Sequence, residues 1–182
     1  MSKKSFFIFL GIIVAVSIAS RLLPHPPNFA PIAALALFSG VYAARMSKWF
    51  LLLPLAAVFL SDLVIGFYDW RMMATVYSSF AIIGLFGLLV RRKKNIGTIT
   101  LATLGGSVLF YLVTNFAVWV FSPMYPATLE GLMLSYTMAL PFFKFTLAGN
   151  LFYVGLFFGA YEFALALQRK NVLSSETIEN IK

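Results

Sequence analysis

Six apolar runs separated by short polar breaks make up most of this chain, and the positive charges at those breaks are unevenly shared between the two sides. The runs are Phe6 to Leu23, Ala30 to Ala44, Trp49 to Gly66, Met73 to Val90, Ile96 to Phe121 and Pro141 to Leu167. Each approaches the roughly 20 residues that a helix needs to cross a hydrocarbon layer about 30 Å thick, the second run being the shortest. Hydrophobic residues fill 61% of the 182 positions and charged ones 11%, so no water-soluble core would hide this much apolar surface. The pattern predicts an all-α integral membrane protein: one six-helix transmembrane domain over residues 1–170, then a polar tail over 171–182 that is expected to fray.

Short cytoplasmic loops retain Lys and Arg because translocating them is unfavourable. With the N-terminus inside, Lys3, Lys4, Arg45, Lys48, Arg91, Arg92, Lys93, Lys94, Arg169, Lys170 and Lys182 all fall in the cytoplasm. Arg21 and Arg71 lie at the outer ends and Lys144 lies within a run, so both termini are expected inside. The net charge of +8 then reports topology, and no nucleic-acid partner is expected. The run Arg91 to Lys94 is a tight cytoplasmic turn within reach of anionic lipid headgroups.

The first run is retained as a helix rather than a cleaved signal peptide, since it is longer than an h-region and Arg21 and Pro24 spoil a cleavage context. Zero cysteines exclude disulfides and thiolate metal sites. No G-x-x-x-x-G-K-[ST] run is present, so energy for any transport must come from a gradient or a partner.

The breaks are chemically distinct. In the first outer break, Arg21 to Asn28, the prolines at 24, 26 and 27 stiffen the backbone and end the first helix. Asn28 is placed to cap the second helix, whose first turn tolerates Pro31. The inner turn Arg45-Met46-Ser47-Lys48 is short and pairs the second and third helices antiparallel. The second outer break carries Tyr68, Asp69, Trp70 and Arg71, and the third carries Pro123, Tyr125, Pro126, Glu130 and Gly131. Leu129 to Leu140 reads as a short interfacial or re-entrant helix before a kink at Pro141, with Ser135, Tyr136 and Thr137 facing an outer site.

Polar side chains inside a span are costly unless paired or hydrated, so their depth is informative. Asp62 lies about one turn below the outer end of the third run, Tyr77 in the outer part of the fourth, and Asn115 and Trp119 on one face of the fifth. Lys144 and Asn150 occupy the outer half of the sixth. Together with Arg21, His25, Asn28 and Tyr136 these form the candidate substrate-binding set. The inner halves are nearly all apolar, apart from Glu162, which is close enough to the inner end to meet a cytoplasmic cation. A polar pocket that opens outward and closes inward is the expectation.

Each of these residues has a plainer reading. Arg21, Asp69 and Arg71 suit headgroup anchors, and Trp49, Trp70, Trp119, Tyr42, Tyr68 and Tyr125 match an aromatic belt. Lys144 can snorkel, and Asn115 and Asn150 serve equally as interhelical glue. Asp62 resists such a reading, because a short carboxylate needs a counter-ion or a hydrated cavity; Lys144 and Arg21 are the candidates. His25 stands alone among prolines without a second ligand, so no metal site is expected, nor a cofactor or catalytic residue. Gly11, Ala15 and Ala19 recur every four positions on the first helix, as do Gly155 and Gly159 on the sixth; such stripes let helices approach, and the first is a candidate partner interface.

The strings PHPPNFAPIAALALFSG, SDLVIGF, TNFAVW, MYPATLEGL and LPFFKFTLAGNLFY cover most of the chain. In them it resembles an uncharacterised family of small six-helix bacterial membrane proteins, grouped with the substrate-binding S components of energy-coupling factor (ECF) vitamin transporters. That resemblance implies an S-component-like bundle in the bacterial inner membrane, with the outer loops as a lid over a small-molecule pocket. It also implies that the stripe Gly11, Ala15, Ala19 meets a transmembrane coupling subunit carried by two ATPases, and that the body topples to release its cargo. Some S components work alone. Cobalamin carriers are similar in size, but no thiol is present to hold cobalt, so that ligand is not carried over.

The expected function is a substrate-binding subunit for uptake of a vitamin or similar micronutrient. Two other classes stay open: a structural or assembly subunit, and an intramembrane enzyme built on His25, Asp62 and Asp69, for which no paired-acid motif, H-E-x-x-H or serine elbow exists.

Overall fold

The computed structural model describes residues 2–179, and among these the chain forms six α-helices and no strand. They are α1 (Lys3–Leu22), α2 (Ile32–Val41), α3 (Leu53–Ile65), α4 (Trp70–Val90), α5 (Ile96–Phe121) and α6 (Leu129–Glu179). Five segments are long and apolar enough to cross a membrane: Lys3–Leu22, Lys48–Ile65, Trp70–Lys93, Ile96–Phe121 and Leu129–Lys170. This is the build of a multi-pass membrane protein.

The second run departs from expectation. It yields a helix of only 10 residues, roughly 15 Å long, which is half a hydrocarbon layer. All ten residues are buried, and α2 packs against each of the other five helices. Hydropathy alone does not separate a lipid-facing helix from one enclosed by protein, because both are apolar all round. Asn28 does not cap it: that residue adopts φ 63 in the preceding turn, and Pro31 is the N-cap, with no side-chain hydrogen bond.

Close backbone contact seats this central post. A Cβ on Gly40 would stand 2.1 Å from the carbonyl oxygen of Gly84 and 2.8 Å from the Cα of Gly87. A Cβ on Gly87 would be 2.5 Å from the carbonyl oxygen of Leu37. Two glycines, Gly40 and Gly87, thus let α2 and α4 cross backbone to backbone, while the two stripes singled out by four-residue spacing face outward. Gly11, Ala15 and Ala19 are exposed along α1, and a Cβ at Gly11, Gly155 or Gly159 would meet nothing within 4 Å.

The helices alternate between two ends. At the basic end, Lys94 and the Tyr42 hydroxyl both donate to the Glu162 carboxylate, beneath a cluster of Phe38, Phe158 and Tyr161 rings. Glu162, expected to meet a cation there, meets Lys94. At the other end, Arg21 meets Asp62. The Asn95–Thr98 capping box starts α5 directly after Lys94.

No break separates Leu129 to Leu140 from the sixth span: α6 runs continuously with Pro141 inside it. Its first turns lie along the end of α5, held by Tyr111 donating to the Tyr136 carbonyl (2.7 Å), Tyr136 to the Leu112 carbonyl (3.1 Å) and Ser135 to the Asn115 carbonyl (2.9 Å). These outside bonds hold the segment in place ahead of the proline, where the helix loses one of its own. The tail expected to fray is helical as far as Glu179, and residues 180–182 lie outside the described ones.

Candidate functional site

Asp62 is on the last turn of α3 and only 1% exposed. A carboxylate so enclosed must be compensated, and two helices supply the partners. Arg21, in the last turn of α1, brings its guanidinium to Oδ1 at 2.6 Å. Tyr77 of α4 donates its hydroxyl to Oδ2 at 2.9 Å. The cluster therefore ties α1, α3 and α4 at one level, and a cation at the C-terminal turn of α1 also suits that helix's dipole.

Beyond Asp62, Gly66 takes φ 108 and ends α3, a conformation open to glycine. The chain then turns Tyr68 toward the cluster. Burial, helped by the nearby Asp62 charge, raises the Tyr68 hydroxyl above its ordinary pKa of 10.0. Asp69 caps α4 through the Arg71 and Met72 N–H groups, and the exposed Arg71 guanidinium grips its carboxylate.

A cavity of about 390 Å³ opens beside Arg21. Its existence follows from the shortness of α2: Ile32 and Ala33 form its floor, well below the ends of the surrounding helices. His25, Asn28 and Tyr68 reach it from the connections, Phe80 and Phe110 give it ring walls, and Thr146 and Asn150 line the α6 side. A second hollow of about 230 Å³ shares Asn28, Val76, Phe110 and Thr146 and extends toward Asn115 and Phe143. Asn150, 4% exposed, is oriented by donating its amide to Ser107 Oγ at 2.8 Å. His25 Nδ1 is 2.7 Å from the Leu23 carbonyl oxygen, which fixes the ring on the proline-rich connection.

Arg21, His25, Asn28 and Asn150 therefore share one cavity, and Asp62 and Tyr77 stand behind its Arg21 wall. Asn115 belongs to the adjoining hollow, with its amide committed to the Tyr111 carbonyl. Trp119 and Tyr136 do not join. Trp119 Nε1 donates to the Pro126 carbonyl at 2.9 Å and Tyr136 to Leu112, both within the α5–α6 hairpin. Ser135 faces α5 in the same way, and Thr137 donates to its own helix at Met133. Lys144 is exposed, its ammonium over the Phe145 ring, so it is Arg21 that neutralises Asp62.

Tyr68, Phe80, Phe110 and Thr146 were absent from the candidate set. Tyr68 matches an aromatic belt in the sequence, and the two phenylalanines carry no mark that separates a cavity wall from a lipid face. A further cavity of about 550 Å³ lies between α5 and α6 toward the basic end, apart from the polar pocket that the sequence predicts. Most of its lining is apolar or small and carries no sequence mark that separates it from a lipid face. Among the described residues, no three of His, Cys, Asp or Glu gather as metal ligands would.

A family model matches residues 1–173, and the chain belongs to that family, a family of unknown function (DUF6580). No curated protein and no solved structure matches it.

Proposed function

We propose that this protein is a membrane-embedded substrate-binding subunit that captures a small molecule, a vitamin or similar micronutrient, from the extracellular side for uptake. The observation that carries the reading is the cavity of about 390 Å³ at the end opposite the cationic turns, walled by a buried ion pair. Its volume falls within the roughly 300–1,000 Å³ typical of small-molecule sites. The charge asymmetry of the loops assigns that end to the outside.

The lining suggests the ligand's chemistry. Phe80, Phe110 and Tyr68 suit a ring, while Asn28, Asn150 and His25 supply a few directed polar contacts. The start of α2, lacking a side-chain cap, favours an acceptor or anionic group on the cavity floor. Prolines 24, 26 and 27 stiffen the connection above, so ordering it around a ligand loses little entropy. Likeness to the S components of ECF transporters fits this arrangement. In that reading the exposed face Gly11, Ala15, Ala19 docks on a coupling subunit carried by two ATPases in the bacterial inner membrane. The same face would serve an assembly subunit, but that role leaves the cavity without purpose. An intramembrane enzyme is disfavoured by the engagement of Asp62 with Arg21 and Tyr77.

Native mass spectrometry of gently extracted full-length protein, followed by titration with the metabolite it retains, tests the reading. Asn28→Ala and Asn150→Ala are expected to weaken binding about tenfold each, the equivalent of one lost hydrogen bond of about 1.4 kcal/mol, with Leu88→Ala unchanged. No retained metabolite, or equal affinities in all three variants, overturns it.

A further inference from the structure

The helices α5 and α6 are joined over their upper halves and part below. Asn150 bonds Ser107 in the buried seam, and the Tyr111 and Phe143 rings lie 4.8 Å apart above it. Below that seam lies the groove of about 550 Å³. Its floor is Val154 and Phe158; Ile99 forms one wall, Gly155 and Gly159 the other. Both glycines are exposed, so the groove opens sideways, where a membrane protein meets lipid.

Its dimensions and charges both select an occupant. From Leu151 to Glu162 the α6 wall rises roughly 16 Å, against about 15 Å for one leaflet of a 30 Å hydrocarbon layer. Asn150 and Ser107 close the top at mid-height, which leaves no continuous face for a spanning helix. Above its mouth the lining is apolar except for Thr100 and Thr103, and the Thr103 hydroxyl is already given to the Ile99 carbonyl; at the mouth Lys94 bonds Glu162 and Tyr42. Arg91, Arg92 and Lys93 immediately precede Lys94, and none of them forms an ion pair among the described residues.

We propose that this groove holds one acyl chain of an anionic phospholipid from the leaflet at the basic end, with the phosphate against Arg92, Lys93 and Lys94. The chain replaces contacts that the two glycines leave unmade, and the cations supply the preference for a negative headgroup. The site is independent of the cavity beside Arg21 and stands whether or not that cavity takes a substrate.

The test is native mass spectrometry of the full-length protein in detergent, titrated with phosphatidylglycerol and phosphatidylcholine of identical chains. One phosphatidylglycerol is expected to survive activation that strips the rest, with at least a tenfold preference over phosphatidylcholine. Gly155→Leu combined with Gly159→Leu should remove that lipid, and Arg92→Gln combined with Lys93→Gln should lower phosphatidylglycerol to the phosphatidylcholine level. Leu101→Ala, elsewhere on exposed α5, should change neither. Circular dichroism monitors folding, and the charge variant decides alone if the glycine variant unfolds. Equal retention of the two lipids overturns the proposal. So does a dimer, or a bound metabolite, that the glycine variant abolishes, since the groove then belongs to a second copy or to a soluble ligand.

Discussion

The two ends of the bundle carry the same three chemical groups, a cation, a carboxylate and a tyrosine hydroxyl, yet in opposite surroundings. Asp62 has 1% of its side chain exposed and Arg21 18%, whereas Glu162 has 47% and Lys94 32%. A carboxylate in a low-dielectric interior is tolerable only while paired, so the Arg21 cluster is an obligatory join of three helices. An exposed carboxylate exchanges its partner for water at little cost, so the Lys94 cluster can open. The comparison shows that burial, not the identity of the groups, separates a structural clasp from a replaceable contact. The clasp borders a cavity suited to a solute, and the replaceable contact stands at the mouth of a groove suited to a lipid.

The largest effect should strike both ends together. The helix α2 runs between them, from the cavity floor to Tyr42, and is held by the glycine crossing with α4. In Gly40→Ala the new methyl would lie 2.1 Å from a carbonyl oxygen, and no rotamer relieves a clash of Cβ with backbone. Overpacking typically costs about 1–3 kcal/mol where side chains can adjust, and here none is available to do so. Loss of the monodisperse folded protein is expected on size-exclusion chromatography, with Gly11→Ala indistinguishable from the parent. A well-folded Gly40→Ala protein would show that α2 is not the rigid link between the two ends.

Next come the carboxylates themselves. Asp62→Ala leaves a largely buried guanidinium without its counter-charge and Tyr77 without its acceptor, which should destabilise by about 3 kcal/mol or more. Glu162→Gln should stay below about 1 kcal/mol. Denaturant titration of both variants in one detergent measures the gap directly. Equal losses would remove burial as the distinguishing factor.

The same physics decides how much of this arrangement is legible in the sequence. Asp62 stands out in the sequence because a charge within an apolar run is expensive wherever its partner lies. The choice between Arg21 and Lys144 was open, because helix rotation decides it and hydropathy is blind to rotation. Lys144 turns outward over Phe145. Five of the six runs became long apolar helices, while the second proved half-length, since enclosure by neighbours leaves no trace distinct from contact with lipid. Spacing of small residues marks exposed faces rather than the close helix crossing. The regular stripes at Gly11 and Gly155 face outward, and the close crossing uses Gly87 from one helix and Gly40 from another, a pattern that exists only in space. The cavity's ring walls were hidden too, because a phenylalanine is equally at home against lipid, a core or a ligand.

The smallest expected effect concerns a third ion pair, about as exposed as the Lys94 pair but set in a connection between helices. Asp69 and Arg71 meet at 2.9 Å with 38% and 43% of their side chains exposed, outside the apolar interior. The bond from the Arg71 side chain holds the Asp69 carboxyl at about 2, below its ordinary 3.8. A carboxyl depressed in the folded state stabilises fully above its unfolded pKa, and that contribution fades as pH falls from 3.8 toward about 2. Solvent screens a pair this exposed, so the contribution is local. Amide hydrogen exchange at Arg71 and Met72, the two N–H groups that Asp69 caps, should accelerate relative to the intrinsic rate over that interval, with the global melting temperature of Asp69→Asn within a few degrees of the parent's. If Asp69→Asn proves as damaging as Asp62→Ala, then charge pairing matters equally at every depth, and the contrast between the clasp and the replaceable contact fails.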